Sequence, residues 1–283
     1  MDYDYVIIGS GFGGSVSALR LSEKGYKVLV VEKGKWFKAK DFPKTNWNFK
    51  KWLWVPYLRF FGIMKLSVFK HIAIISGTGV GGGSLVYANT LPTPKSTFFK
   101  SGSWNELNDW ENELKPYYTL ALKMLGAAKN PELFDGDLGL KKMAENLNIQ
   151  EKFAPTRVAI FFGKPNQKQK DPYFGGKGPE RSGCTFCGAC MTGCRHNAKN
   201  TLDKNRSLPN LSEKLGEDIR SNNETLVSVT GMEKDKNYSK GIAIGSILDT
   251  DENSHLEICR YSEGSDAWKL IHLPYVTGSN VIS

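Results

Sequence analysis

Short runs of consecutive apolar residues punctuate the N-terminal part of this chain, and glycine clusters rather than long polar tracts separate them. Tyr5–Ile8 is one such run and Val28–Val31 is a second. Runs of about four apolar residues bounded by turn signals predict strands of a parallel sheet, buried on both faces. Between the two runs, Gly9-Ser10-Gly11-Phe12-Gly13-Gly14 opens a helix-like segment that ends near Gly25. The pattern predicts strand, tight turn, helix, strand. Trp52–Met64 is the longest apolar stretch, but Pro56 and Arg59 interrupt it and it is too short to span a bilayer. His71–Ser76 reads as a strand entering a second glycine cluster. Gly163–Gly183 is polar and carries Pro165, Pro172 and Pro179, which predicts a loop or linker.

The first glycine cluster has a chemical reason for each residue. Gly9 permits the tight turn, Gly11 lets a pyrophosphate approach the backbone, and Gly14 lets the helix pack closely on the strand. The backbone through Ser10, Phe12 and Gly13 then presents the unpaired N–H groups of a helix start to phosphate oxygens. Glu32 closes the second run about 20 residues after the glycines, where an acidic side chain meets a ribose hydroxyl. A dinucleotide site is expected at Gly9–Gly14 and Glu32. No second fingerprint of this kind occurs downstream, which favours a tightly held FAD over a nicotinamide pair.

The second cluster, Gly77-Thr78-Gly79-Val80-Gly81-Gly82-Gly83-Ser84, is costly to order and makes sense where backbone passes against a ligand. With the first cluster it resembles the glucose–methanol–choline family of FAD oxidoreductases, most closely its cholesterol-oxidase-like branch. The resemblance implies that Gly79, Gly81, Gly82, Gly83 and Ser84 lie against flavin and pyrophosphate. Family members commonly carry Asn or His where this chain has Tyr87. The likeness continues through Thr90–Lys95, Trp104–Leu107, Tyr117–Gly126, Cys187–Cys194, Asn197–Lys204 and Leu208–Gly216, and Gly241–Ile258 resembles substrate-domain sheet.

The fold class implied is α/β: a Rossmann-like FAD-binding domain whose parallel sheet is incomplete, with an antiparallel-sheet α+β substrate domain. The first would comprise residues 1–100 and 184–230, the second 101–183 and 231–283. The family places several strands between the counterparts of Asn205 and Leu208, where this chain has only Arg206 and Ser207. It also places a catalytic His beyond the counterpart of Ser283, and none of His71, His196, His255 and His272 sits in that context. The chain is therefore expected to be internally deleted, C-terminally truncated and a poor catalyst. Glu257 matches a glutamate that moves a proton during isomerisation of a steroid double bond. An alternating strand would point Glu257 and His255 to one face.

Cys184, Cys187, Cys190 and Cys194 follow C-x2-C-x2-C-x3-C, the spacing of ferredoxin cluster loops, although Arg195 stands where ferredoxins carry Pro. They are candidate ligands of an iron–sulfur cluster, with reduced structural thiols as the alternative. Lys35–Lys70 interleaves aromatic and basic residues, as would a lid over a bulky apolar alcohol such as a sterol, a peripheral membrane patch, or core aromatics under lysine stems. The net charge of +9 is spread along the chain without a nucleic-acid motif, so no nucleic-acid partner is expected. The N-terminus shows no secretory pattern, and a cytoplasmic location, with membrane association as an option, is expected. The function expected is oxidation of an alcohol by hydride transfer to FAD. A flavin and iron–sulfur electron carrier, or a non-catalytic remnant, are the alternatives.

Overall fold

The computed structural model describes residues 2–70, 72–204, 227–229 and 233–270. The junction at Asn205–Leu208, the Leu208–Gly216 segment, His71 and His272 lie outside the described residues.

The strands β1 (Tyr5–Ile8) and β2 (Val28–Val31) pair in parallel, Tyr5 opposite Val28 and Ile8 opposite Val31, and the helix α1 (Phe12–Glu23) joins them. The unit read from the apolar runs is present residue for residue. Among the described residues this sheet has two strands. Ile7 and Leu21 are buried between sheet and helix, whereas Val6 and Ile8 remain exposed. Parallel strands are ordinarily covered on both faces. Their exposure here goes with the two strands this sheet has among the described residues.

Two hairpins follow the one-turn helix α2 (Phe49–Trp52). The first runs from β3 (Trp54–Val55) through Pro56–Arg59 into β4 (Phe60–Phe61), and the second joins β5 (Met64–Val68) to β6 (Ala73–Gly77). A parallel bridge between Leu53 and Met64 makes β3 and β5 run the same way, so both hairpin tips project from one end. The aromatic segment expected as a lid or patch divides. Phe37, Phe42 and Trp52 join Ile63, Met64 and Leu85 in a core against which Trp268 packs. Trp36, Trp47, Tyr57 and Phe61 stay exposed.

The helices α3 (Ser96–Phe99) and α4 (Trp110–Met124) come next, the second capped by Asp109 accepting from the Asn112 N–H. Glu111 and Glu113 in its first turn suit the positive end of the helix dipole. A short pair, β7 (Ala128–Lys129) with β9 (Arg157–Val158), leads to the second layer. There α5 (Asp135–Asn146) packs on an antiparallel sheet in the order β13 (His255–Cys259), β12 (Ile244–Asp249), β8 (Phe153–Pro155). Leu140, Ala144 and Leu248 form its core. The antiparallel sheet expected around Gly241–Ile258 is thus present.

The loop expected at Gly163–Gly183 is present as a largely irregular, mostly exposed stretch that is held down at a few points. It carries the antiparallel pair β10 (Lys168–Gln169) and β11 (Arg181–Ser182), and buries both Asp171 and Arg181. Asp171 accepts the N–H groups of Tyr173, Phe174 and Gly178, which folds the stretch onto itself. Its prolines break helix without loosening the chain.

Candidate cofactor site

Gly9 ends β1 with φ at +92°, a left-handed turn that a side chain rarely adopts, and its N–H donates to Val31 O at 2.7 Å. The chain then enters α1 at Gly11 with no side-chain cap, so the first N–H groups of the helix are open to a ligand. A β-carbon on Gly9, Gly11 or Gly13 would meet nothing within 4 Å. One on Gly14 would lie 2.0 Å from Gly9 O, because α1 packs directly on the turn. The tight turn at Gly9 and the close packing at Gly14 are therefore present, and the space in front of Gly11 is clear of protein atoms.

The second glycine cluster closes over the first. A β-carbon on Gly82 would fall 2.5 Å from Gly11 Cα, and one on Gly34 would fall 2.4 Å from Gly79 N. Ser10 joins the two clusters, its Oγ accepting the Gly81 N–H at 3.1 Å and donating to Glu32 Oε2 at 2.8 Å. Glu32 also accepts from Ser10 N and Gly34 N, both at 3.0 Å. Burial pushes its carboxyl up, but the donors from Gly34, Ser10 and Gly79 outweigh that and hold it below the usual glutamate value. Phe12 packs edge-on against Tyr87, with 5.7 Å between ring centroids. Ser84 Oγ accepts the Leu202 N–H at 3.0 Å and so ties the cluster to Thr201–Asp203.

The donor set fits a dinucleotide. Thr78 Oγ1, Thr201 Oγ1 and Asp203 Oδ1 are buried without a hydrogen-bond partner around the second cluster, and Asp203 Oδ1 lies 3.4 Å from where a Gly81 β-carbon would stand. Such atoms are costly to bury unpaired and suit the hydroxyls of a bound ribose or ribityl chain. Sequence reasoning did not single out Thr78, Thr201 or Asp203, because nothing local marks them.

Lys199 was also missed. It is fully buried, and its Nζ donates to Leu85 O, Tyr87 O and Cys190 O at 2.7–3.0 Å. One ammonium therefore locks the cysteine loop to the segment that follows the second glycine cluster. Cys184, Cys187, Cys190 and Cys194 all line one small pocket with Lys199 and His196. None of the chain's five cysteines is joined in a disulfide. Burial pushes the Cys190 thiol up to about 11, against the opposing pull of Lys199. Glu257 stands apart from the glycine turn, on β13 opposite Ile247, with His255 Nε2 at 3.7 Å from its Oε1. The shared face expected for the two is observed.

Residues 7–37 match the model of the NAD(P)-binding Rossmann-like domain family. The chain is similar to a cholesterol oxidase from Acinetobacter baumannii, 39% identical over 95% of this chain and 63% of the relative. It is similar to a cholesterol oxidase from Mycobacterium tuberculosis, 37% identical over 98% of this chain and 62% of the relative. A long-chain-alcohol oxidase from Arabidopsis thaliana is 28% identical over 71% of this chain and 24% of its own length. The chain thus spans under two thirds of the curated relatives it matches. The first of these alignments runs over 350 positions, more than the 283 residues here, so the aligned stretch of that relative includes residues without a counterpart in this chain.

Proposed function

The chain belongs to the glucose–methanol–choline family of FAD oxidoreductases, on its cholesterol-oxidase-like branch, and we propose from that membership that it binds FAD and oxidises a bulky apolar alcohol of the sterol class. The observation that carries the reading is the closure of Gly82 over Gly11, with Ser10 and Glu32 linking the two clusters. FAD, when bound, supplies the hydride acceptor for the alcohol C–H. Gly9–Gly14 would hold its pyrophosphate at the α1 start and Glu32 its adenosine ribose. Gly79, Gly81, Gly82, Gly83 and Ser84 would line its far side. Glu257, beside His255 on one strand face, is the group proposed to move a proton at the substrate.

Two further elements belong to the proposal. The cofactor region is assigned to 1–100 with 184–230 and the substrate region to 101–183 with 231–283, supported by the bonds from Lys199 to Leu85 and Tyr87. The exposed hairpin tips are assigned to peripheral contact with the cytoplasmic face of a membrane, where apolar alcohols partition. Residues 42–80 contain six Lys or Arg and no Asp or Glu, and Tyr57, Leu58, Val68, Phe69 and Ile72 are exposed around them. No helix among the described residues is long and apolar enough to cross a membrane.

The test is to purify the chain and mix it anaerobically with a 3β-hydroxysteroid or a long-chain primary alcohol. Retained FAD that is bleached by the steroid is expected. A chain that folds but holds no FAD after reconstitution would overturn the reading.

A further inference from the structure

The spacing of Cys184, Cys187, Cys190 and Cys194 suggests an iron–sulfur cluster, but their surroundings do not fit one. The space they line is about 20 Å³, room for roughly one water. Cys184, Cys190 and Cys194 pack on a core of Val158, Ile160, Ala198 and Ile242. Among the described residues no group of three or more His, Cys, Asp or Glu could hold a metal ion. Burial pushes the thiols of Cys184 and Cys190 up, so both stay protonated at neutral pH. What the loop does hold is the side chain of Lys199.

Lys199 has no exposed surface. Its Nζ donates to Tyr87 O at 2.7 Å, Cys190 O at 2.8 Å and Leu85 O at 3.0 Å, and stands 4.6 Å from the centre of the Tyr87 ring. Three acceptors match the three N–H donors of an ammonium, whereas a neutral amine would set its lone pair against one of the carbonyl oxygens. The hydrogen bonds therefore call for the charged form. Burying a unit charge costs several kcal/mol, and an apolar side chain of the same length would fill the place without that cost. The protonated thiol of Cys190 adds no negative charge beside it.

The charge sits next to the cofactor cradle. Leu85 and Tyr87 directly follow Gly81–Ser84, the stretch that closes over Gly11. The Tyr87 ring that meets the ammonium also meets Phe12, the first residue of α1, at 5.7 Å between centroids. Its hydroxyl donates to Asn200 O at 2.9 Å, and Leu202 N donates to Ser84 Oγ at 3.0 Å, so the Lys199–Leu202 run grips this segment at several points. Resting on the FAD assignment made above, we propose that Lys199 is a positioning residue that fixes Leu85–Tyr87 against bound FAD and whose charge favours the reduced flavin. Hydride transfer moves two electrons and one proton from the alcohol carbon to FAD, while the hydroxyl proton passes to a base. Bound FAD thereby gains one negative charge, which a buried cation nearby stabilises.

The test is a redox titration of the full chain reconstituted with FAD, beside Lys199→Met and Lys199→Gln. Methionine keeps the length without charge or donors, and glutamine keeps two donors without charge. Both variants should shift the equilibrium about tenfold towards oxidised flavin, a potential about 30 mV lower for a two-electron couple. Lys199→Gln should hold FAD more tightly than Lys199→Met, because it still binds carbonyls of the segment. Folded, FAD-holding variants with the wild-type potential would overturn the proposal and leave the FAD assignment standing. Wild-type protein that folds but holds no FAD would overturn both. Should neither variant fold, the wild-type potential decides: a value above that of free FAD is expected, and one at or below it would overturn the proposal.

Discussion

Gly82 presses on Gly11 so closely that a β-carbon on Gly82 would stand 2.5 Å from Gly11 Cα, whereas a β-carbon on Gly11 itself would point into open space. The two glycines meet for opposite reasons. Gly82 is small because the chain leaves it no room. Gly11 is small although the chain leaves it room, and the space in front of it is where a pyrophosphate would come.

The contrast separates fold from ligand. Gly11→Val is expected to fold with a melting temperature near wild type, because no protein atom opposes the new side chain, yet to lose FAD. Gly14→Ala is expected to cost about 3 kcal/mol, since its β-carbon would meet the Gly9 carbonyl oxygen at 2.0 Å and backbone cannot yield as a side-chain tip does. Thermal melts and flavin content of the two variants check this. Unchanged flavin in Gly11→Val would remove the pyrophosphate assignment.

Glu32 links stability to pH. Its carboxylate is held below the usual value of 4.5, so its contribution is complete above that value and is lost as pH falls through the lower native pKa. Glu32→Gln should therefore melt lower than wild type at pH 7, with the gap closing as pH falls below 4.5 and on through the lower native pKa. Glu32→Ala should also weaken FAD binding by about 1–3 kcal/mol, the worth of hydrogen bonds to a charged acceptor. Melting curves across that range and flavin titration provide the measurements. A gap that is constant with pH would show that the carboxylate charge plays no part.

What could be read from the chain alone was local. The β1–α1–β2 unit, the left-handed Gly9, the packing role of Gly14 and the shared face of His255 and Glu257 all follow from spacing over a few residues. The contact of Gly82 with Gly11 joins positions 71 apart, and family resemblance rather than periodicity placed those clusters together. Lys199 looks like an ordinary surface lysine in Asn197–Lys204, because the three carbonyls that bury it come from Leu85, Tyr87 and Cys190. Arg181 was hidden in a polar, proline-rich stretch for the same reason. Side chains whose partners lie far along the chain leave no periodic trace.

The ion pair between Asp137 and Arg260 is another such feature, 123 residues apart and almost fully buried, with Arg260 Nη1 2.9 Å from Asp137 Oδ2. Asp137 Oδ1 also accepts the Ser246 hydroxyl at 2.7 Å, so one carboxylate joins α5, β12 and the end of β13. Asp137→Ala leaves a buried guanidinium without its carboxylate and is expected to cost about 3–5 kcal/mol. Replacing both residues by apolar ones of similar volume should cost less than the single change. Chemical denaturation of both variants measures the difference, and a double variant as unstable as the single one would show that shape rather than charge dominates.

The hairpin tips offer the last prediction. The parallel bridge between Leu53 and Met64 sends β3 and β5 the same way, so Tyr57, 85% exposed, and Val68, 73% exposed, project from one end with Arg59 and Lys70. Apolar and aromatic groups at a tip enter the headgroup region, and each adjacent cation adds about 1 kcal/mol on an anionic surface. Arg59→Gln combined with Lys70→Gln should then weaken binding to vesicles containing phosphatidylserine by about 2 kcal/mol, roughly thirtyfold. Binding to pure phosphatidylcholine should change little, because only the apolar contribution remains there. Tyr57→Ser with Val68→Ser should weaken binding to both vesicle types, since it removes the buried area and leaves the charge. Vesicle sedimentation at low and high salt reads all three outcomes. Wild-type protein that stays in the supernatant with anionic vesicles at low salt would show that this end of the molecule meets something other than lipid.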